Sequence, residues 1–262
     1  MLKLVFLSLF MIPNYAKAID IIDSFLETLN VAPKQTSVSA THTAEIEVDL
    51  TKKYFFEIDE AYKGLGANLD KQLRLKAVAT EVKKRNELLR KELDISSANT
   101  TLSKLNELTL SIHQELSSNK VTTVKNVLKY ETGHNVGFCF GRALMVHSLL
   151  LKKGIKQENI AKIFALGKLT YRQLYWKFHM ATMVRGADKS WTVIDNLFEK
   201  PLPHAEWMKR VGAMDIREEL GQTRFYVTDA RKFQPAYGMY AKEQFLLPEL
   251  RVFFTDLFTS LK

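Results

Sequence analysis

The sequence predicts an α+β protein in which a helix packs on an antiparallel sheet. Two observations carry this prediction. Apolar residues recur at helical spacing from Cys139 until Gly154 ends the pattern in the usual C-terminal position. Residues 175–186 then alternate strictly between two sets of side chains, and a second short strand pattern follows at 191–196. Residues 162–169 predict a strand, residues 225–230 a weaker strand, and residues 248–262 a final helix.

The first residues of the chain have the layout of a secretory signal peptide. Lys3 precedes an apolar run over 4–12, Pro13 follows, and the small-x-small residues 16–18 supply a cleavage site. The apolar run is too short to span a bilayer. We therefore expect a signal peptide over 1–18 and an exported chain, periplasmic or secreted, without stable membrane insertion. A short amphipathic helix is the alternative.

Residues 19–120 differ from the rest of the chain and predict a mainly helical N-terminal region. Leucines and valines recur at helical spacing within 66–93, and another helical pattern follows after a polar break. The polar stretch 117–120 predicts the joint to the second part. We therefore expect an accessory region over 19–120 and a separate domain over 121–262.

The charge and the histidine pattern exclude several kinds of partner. The net charge is +9, and it becomes +7 (9 − 2) once Lys3 and Lys17 leave with the signal peptide. The densest basic stretch, 81–93, contains three glutamates, which indicates a solvated helix face rather than a nucleic-acid surface. No histidine pair has a metal-ligand spacing, and no glycine-rich phosphate loop is present. We expect no metal, no cofactor and no nucleic acid.

Cys139 is the single cysteine of the chain. Exported proteins usually hold cysteines as disulfide pairs, so a lone one indicates an intermolecular bond, a leftover residue or a working thiol. At a helix start, the free amides and the helix dipole stabilise a thiolate. Gly137 exposes the neighbouring amides, so the N–H of Cys139 is a candidate for half of an oxyanion hole.

The alternating strand supplies a candidate base for this thiol. Trp176, Phe178 and Met180 occupy one face, and His179 occupies the opposite face. Asp195 lies at the end of the next strand and is the candidate acceptor that orients the imidazole.

The register between these two strands can be checked against the turn. If His179 opposes Asp195, Arg185 opposes Lys189 and the loop is residues 186–188, a common hairpin length. Residues directly opposite each other share a face of the sheet. This register therefore predicts a hydrogen-bonded His–Asp pair.

Each of the three residues also has a structural explanation. The cysteine can be a small buried hydrophobe, the histidine a half-exposed strand residue, and the aspartate a turn cap. Their occurrence together, in the order Cys139, His179 and Asp195 and on suitable elements, favours a catalytic triad.

The stretch from 137 to 207 resembles the protein-glutaminase family, secreted bacterial enzymes with a papain-like core. The resemblance lies in "CFGRA" from Cys139, "WKFHMATMV" around His179 and "VIDNLFEKPLPHAEW" around Asp195. It implies that these three residues form the triad and that the enzyme hydrolyses glutamine side chains in proteins or peptides to glutamate and ammonia. It also implies a pro-region that covers the site, a role that residues 19–120 would take.

The sequence departs from the family pattern in two ways. Asn196 follows the triad aspartate where the family has proline, and no second cysteine is available for the family's disulfide. The transglutaminase-like superfamily shows the same order of elements. Acyl transfer to an amine, peptide-bond cleavage and a non-catalytic interaction role therefore stay as alternatives to deamidation.

Five other residues have weaker signals. Arg142 matches the family motif and is either a salt-bridge residue or part of the substrate site. His134 or Asn135 is a candidate side-chain oxyanion donor, with an ordinary loop residue as the alternative. His147 lies on the apolar stripe and is predicted to be a core histidine, and Trp207 is predicted to be a packing residue.

Overall fold

The computed structural model describes residues 102–123, 126, 130, 138–171, 174–186, 190–216, 223–234, 237–240 and 242–261, together with 79–80, 82–84, 86–91 and 93. The predicted signal peptide and most of the predicted N-terminal region lie outside the described residues. His134, Asn135 and Gly137 also lie outside them.

Along the chain, the named elements run from two helices to four strands, one helix, three strands and two helices. The helices are α1 (Leu102–Ser118), α2 (Cys139–Lys152), α3 (His204–Gly212), α4 (Lys242–Phe245) and α5 (Pro248–Ser260), with a 3-10 turn over Gln157–Asn159. The strands are β1 (Ile160–Tyr171), β2 (Leu174–Arg185), β3 (Trp191–Ile194), β4 (Leu202–Pro203), β5 (Arg224–Asp229), β6 (Lys232–Gln234) and β7 (Tyr237–Met239).

Five strands form one sheet in the order β4-β3-β2-β1-β5, and every neighbouring pair is antiparallel. β6 and β7 form a separate hairpin. The predicted α+β class is therefore confirmed, with the antiparallel sheet and covering helix expected of a papain-like core. In the described part of the chain, no helix combines the length and apolarity that a membrane span requires.

Both faces of the sheet are covered, which explains why β1, an inner strand, is apolar over most of its length. Phe164 and Met180 face α2, whereas Ile163 and Ala181 pack with Trp207 of α3 on the other face. The period of two along each strand separates these two cores. The nucleophile candidate and its candidate base are thus carried by elements that two layers of packing hold in place.

Helix α2 ends as predicted. Gly154 has a φ of 81°, and Ile155 N–H donates to the Leu150 carbonyl at 3.0 Å, as in a Schellman cap. Glycine fits this left-handed position because it has no Cβ.

Helix α1 and the turn after it are tied to the same core. Ile112 and Leu116 are buried in the cluster that contains α2. The Thr122 hydroxyl donates to the Leu116 carbonyl at 2.7 Å, and the Asn196 side-chain amide donates to the Thr122 carbonyl at 3.0 Å. Asn196, which stands where the resembling family has proline, therefore anchors this turn beside Asp195. The division of the chain at Lys120 stays a prediction.

The predicted register between β2 and β3 is wrong by two residues. Met183 pairs with Val193 and Arg185 with Trp191, and the connecting segment is closed by a Gly186 N–H to Ser190 carbonyl bond of 2.8 Å. The predicted register would have set two cations opposite each other, which is unfavourable. In the observed register, the Arg185 guanidinium lies 5.9 Å from the Trp191 ring centre instead. A shift of two residues preserves the face, so His179 and Asp195 still point to the same side.

Candidate active site

Cys139 is the first residue of α2, as the helical pattern predicted. The Phe138 carbonyl accepts the N–H groups of Gly141 and Arg142 at 3.0 and 3.2 Å, and no side chain of the described residues caps the helix. The first amides of a helix have no acceptor within the helix. The N–H of Cys139 is therefore available to an oxyanion, at the end where the helix dipole favours negative charge.

His179 and Asp195 form a buried hydrogen-bonded pair. His179 Nε2 and Asp195 Oδ2 are 2.7 Å apart, and the two residues are only 1% and 5% exposed. The β2–β3 ladder ends at the Thr182–Ile194 pair, so Asp195 already belongs to the turn and reaches His179 from there.

The Asp195 carboxylate is satisfied by two further donors. Trp207 Nε1 donates to Oδ2 at 2.8 Å, and the Leu197 backbone N–H donates to Oδ1 at 3.1 Å. Burial alone would raise the pKa of Asp195, but the His179 imidazolium outweighs it and, with Arg142 and Trp207, lowers this pKa to about 2. Asp195 is therefore a carboxylate at neutral pH.

His179 carries the complementary charge. Burial disfavours its imidazolium, but the charge and hydrogen bond of Asp195 outweigh burial and raise the pKa of His179 to about 9. The Cys139 side chain adds to this increase in pKa through a hydrogen bond and through its charge. Nδ1 is buried and has no nitrogen or oxygen partner among the described residues, so it is the ring nitrogen left for the thiol. The fold thus brings Cys139, His179 and Asp195 into one cluster.

Two tryptophans enclose the imidazole. The rings of Trp176 and Trp207 stack on His179 with centroid separations of 5.7 and 5.8 Å. Trp207 is therefore more than the predicted packing residue, because it also donates to Asp195. The sequence signal for this contact was that Trp207 and Asp195 lie in the same segment of the family resemblance.

The stacking of Trp176 on His179 contradicts the strict alternation, which put these residues on opposite faces. The pairing of β1 with β2 shifts register between Leu166 and Leu169, close to Trp176. Such a bulge increases the local twist of the strands and redirects side chains. The alternation therefore predicts the faces correctly beyond this point but not at the Trp176 end.

Arg142 belongs to the same neighbourhood. It is 4% exposed, and its positive charge helps to lower the pKa of Asp195. Its predicted contact with substrate stays a prediction. The two oxyanion-donor candidates before Cys139 lie outside the described residues.

His147 is a core histidine, as predicted. Its Nε2 lies 2.8 Å from the Gln157 side-chain oxygen. Burial and the neighbouring Lys162 lower the pKa of His147 to about 4, so its ring is neutral at physiological pH.

Lys162, which was not among the predicted site residues, is fully buried on β1. Its ammonium donates to the Lys232 carbonyl and to the Tyr240 hydroxyl. Burial lowers the pKa of Lys162 well below its usual range, and the charges of Asp229 and Cys139 oppose that change. A lysine inside the otherwise apolar stretch 160–166 of β1 was the sequence signal for such a group. The described residues contain no cluster of three or more histidine, cysteine or acidic side chains that could hold a metal ion.

A thiol at a helix start beside a buried imidazole–carboxylate pair has the parts needed for nucleophilic attack on a carbonyl group. Residues 110–211 match the glutamine-deamidase family model described as Glutaminase. This segment, which includes Cys139, His179 and Asp195, makes up less than half of the chain, and its match supports the protein-glutaminase family that the sequence resembles. The match also supports a hydrolase that acts on amides. Neither a curated protein nor a solved structure matches the chain.

Proposed function

We propose that the protein is a cysteine-dependent protein-glutamine deamidase, an amidohydrolase that acts on glutamine side chains of proteins or peptides. One observation carries the proposal. The buried His179–Asp195 pair lies beside Cys139 at a helix start, and all three residues fall inside the segment that matches the glutaminase model.

In the first half-reaction, Cys139 attacks as a thiolate while His179 holds the proton. The sulfur bonds to the carboxamide carbon, and the carbonyl oxygen becomes an oxyanion that the Cys139 N–H stabilises. His134 or Asn135 is proposed as the second donor. When the C–N bond breaks, the His179 Nδ1 proton passes to the leaving nitrogen, and ammonia departs from a thioester.

In the second half-reaction, water hydrolyses the thioester. Neutral His179 takes a proton from the water, whose oxygen bonds to the carbonyl carbon. The C–S bond then breaks and releases glutamate and the thiolate. Asp195 keeps Nε2 protonated throughout, so that Nδ1 is the nitrogen that exchanges protons.

We also propose that the chain is exported and that its N-terminal region acts as a removable pro-region. Cys139 is only 5% exposed, so the site must open before a glutamine of another protein can reach it. Ile112 and Leu116 of α1 belong to the core around α2. Processing that leaves an active enzyme is therefore expected before α1 rather than at Lys120.

The test measures ammonia release from a casein-like protein by the wild type and by Cys139→Ala. We expect ammonia and conversion of glutamine to glutamate in peptide maps for the wild type alone, with the polypeptide backbone intact. His147→Gln is the matched control, because this buried histidine lies on the same helix but outside the cluster.

Other outcomes would replace the proposal. Incorporation of a labelled primary amine would indicate transglutaminase-like acyl transfer, and new chain termini would indicate a peptidase. Absence of all three reactions in the processed protein would indicate an interaction protein. Retained turnover in Cys139→Ala would refute the mechanism.

A further inference from the structure

Phe138, directly before Cys139, has a backbone conformation that side chains rarely adopt. Its φ and ψ are 42° and 25°, and it is the one non-glycine residue with positive φ among the residues that the structure describes. The left-handed conformation is unfavourable for any residue that has a Cβ. Such a conformation persists only where surrounding contacts hold it.

Those contacts come from the C-terminal helix α5. The Phe138 ring is fully buried and stacks on Phe253 with ring centres 4.3 Å apart. Tyr130 contacts both rings edge-on, at 6.1 and 5.3 Å between centres. Its hydroxyl donates to Asp256 Oδ2 of α5 at 2.7 Å. Phe138 is thus held between a ring of α5 and a tyrosine that is itself hydrogen-bonded to α5.

Gly141 allows this close approach. A Cβ at position 141 would overlap the Phe253 ring, so only glycine lets α5 lie this near the first turn of α2. This gives the glycine of the "CFGRA" motif a specific packing role. Helix α5 itself lies beyond residue 211, outside the segment that matches the glutaminase model.

We propose that α5 is a positioning element for the nucleophile: Phe253, supported by Tyr130 and Asp256, keeps Phe138 in the left-handed conformation and thereby directs Cys139 toward His179. Phe253 touches neither substrate nor thiol in this scheme and acts only through the backbone. The consequence for catalysis rests on the proposed function, whereas the backbone effect does not.

The backbone effect is tested on full-length protein labelled with ¹⁵N-cysteine. Because Cys139 is the single cysteine, its amide gives one resonance. Phe253→Leu removes the stack, and we expect the resonance to broaden or split as Phe138 leaves the left-handed conformation. The matched control is Phe254→Leu, a neighbour that is equally buried and whose ring contacts Phe140, Phe245 and Phe253 rather than Phe138. It should keep one sharp resonance.

A second variant keeps the test available where the first does not fold. If Phe253→Leu does not fold by circular dichroism, Asp256→Asn weakens the same support with little change in packing and takes its place. A single sharp resonance in the folded Phe253→Leu and Asp256→Asn variants would overturn the proposal, whether or not the protein releases ammonia.

Kinetics provide the second measurement. We expect kcat for ammonia release to fall about tenfold in Phe253→Leu, which corresponds to about 1.4 kcal/mol of activation free energy. KM should stay unchanged, because the substitution lies away from the glutamine-binding contacts. Equal losses in Phe253→Leu and Phe254→Leu would mean that α5 contributes stability alone.

Discussion

Two buried histidines of this protein have pKa values that are shifted in opposite directions from the ordinary value. His179 and His147 are 1% and 0% exposed, so burial lowers the pKa of both. The Asp195 carboxylate reverses this effect at His179 and raises its pKa to about 9. His147 has a neutral glutamine partner and a neighbouring lysine, and its pKa stays at about 4.

The comparison shows that the partner, rather than the depth of burial, decides the charge of an imidazole here. His179 is an imidazolium at neutral pH because a carboxylate lies 2.7 Å away. His147 is neutral because burial and the charge of Lys162 lower its pKa, and its hydrogen-bond partner Gln157 carries no charge that could reverse this. The pKa of His179 can be tested by changing its partner Asp195, and the pKa of His147 by replacing the histidine.

The largest effect is expected when the carboxylate beside His179 loses its charge. In Asp195→Asn, burial stands unopposed, so the pKa of His179 should fall below 6.5. The imidazolium that protonates the leaving nitrogen is then scarce. We therefore expect kcat/KM for ammonia release to fall on the order of 10³-fold. Asp229→Asn is the matched control, since this carboxylate belongs to the His147 side of the core and interacts with Arg231. Comparable losses in both variants would show that the His179–Asp195 pair has no special role.

The second effect concerns the alkaline limit of activity. The proposed reactive form has a protonated His179, so kcat/KM should decline as pH rises through about 9. A pH–rate profile of the wild type measures this limb, and in Asp195→Asn the residual activity should decline at a lower pH. An alkaline limb that is identical in both proteins would assign the titration to another group.

The third effect concerns stability and involves His147. Its folded pKa of about 4 lies below the ordinary 6.5, so the unfolded chain binds a proton first as pH falls. The contribution of the neutral His147 imidazole to the free energy of unfolding is therefore present above pH 6.5 and is lost as pH falls toward 4. It amounts to about 3 kcal/mol of the free energy of unfolding.

Urea unfolding of the wild type and of His147→Gln between pH 7 and 4 measures this contribution. As pH falls from 7 to 4, we expect the free energy of unfolding of the wild type to fall more than that of His147→Gln. A constant difference would mean that His147 keeps its ordinary pKa in the folded protein. The contribution of His179 to the free energy of unfolding has the opposite pH dependence. It is present below pH 6.5 and is lost as pH rises toward 9.

The sequence predicted the elements that carry the site because their patterns are local. The helix from Cys139 to the glycine at 154, and the face shared by His179 and Asp195, depend on periods of 3.6 and two residues. The predicted register between β2 and β3 was wrong because it depended on a choice between loop lengths. The contact of Arg185 with Trp191 favours the longer connection.

Other features of the site depend on contacts between distant parts of the chain and left little trace in the sequence. The bulge that turns Trp176 toward His179 arises in the neighbouring strand β1. The left-handed Phe138 is supported by Phe253, more than a hundred positions later in the chain. Periodicity reports the face of a residue but not its partner from another element, so these contacts required the structure.

The smallest effect distinguishes the two tryptophans that enclose His179. Trp207 Nε1 donates to Asp195 at 2.8 Å, whereas Trp176 Nε1 is buried without a hydrogen-bond acceptor among the described residues. Replacing either by phenylalanine keeps a stacked ring and removes a similar volume. Trp207→Phe also removes a hydrogen bond to a charged group, which is worth about 1.5–3 kcal/mol, whereas Trp176→Phe removes an unsatisfied donor.

We therefore expect Trp207→Phe to lower the free energy of unfolding by about 2 kcal/mol more than Trp176→Phe does. The pKa of Asp195 should also rise in Trp207→Phe, since the indole N–H helps to lower it. Urea unfolding at pH 7 and at pH 3 measures both effects. At pH 3 the difference between the two variants should shrink, because the higher pKa of Asp195 in Trp207→Phe lets its folded state bind a proton that Asp195 with a pKa of about 2 does not bind. Equal destabilisation at both pH values would mean that the indole of Trp207 acts through packing alone.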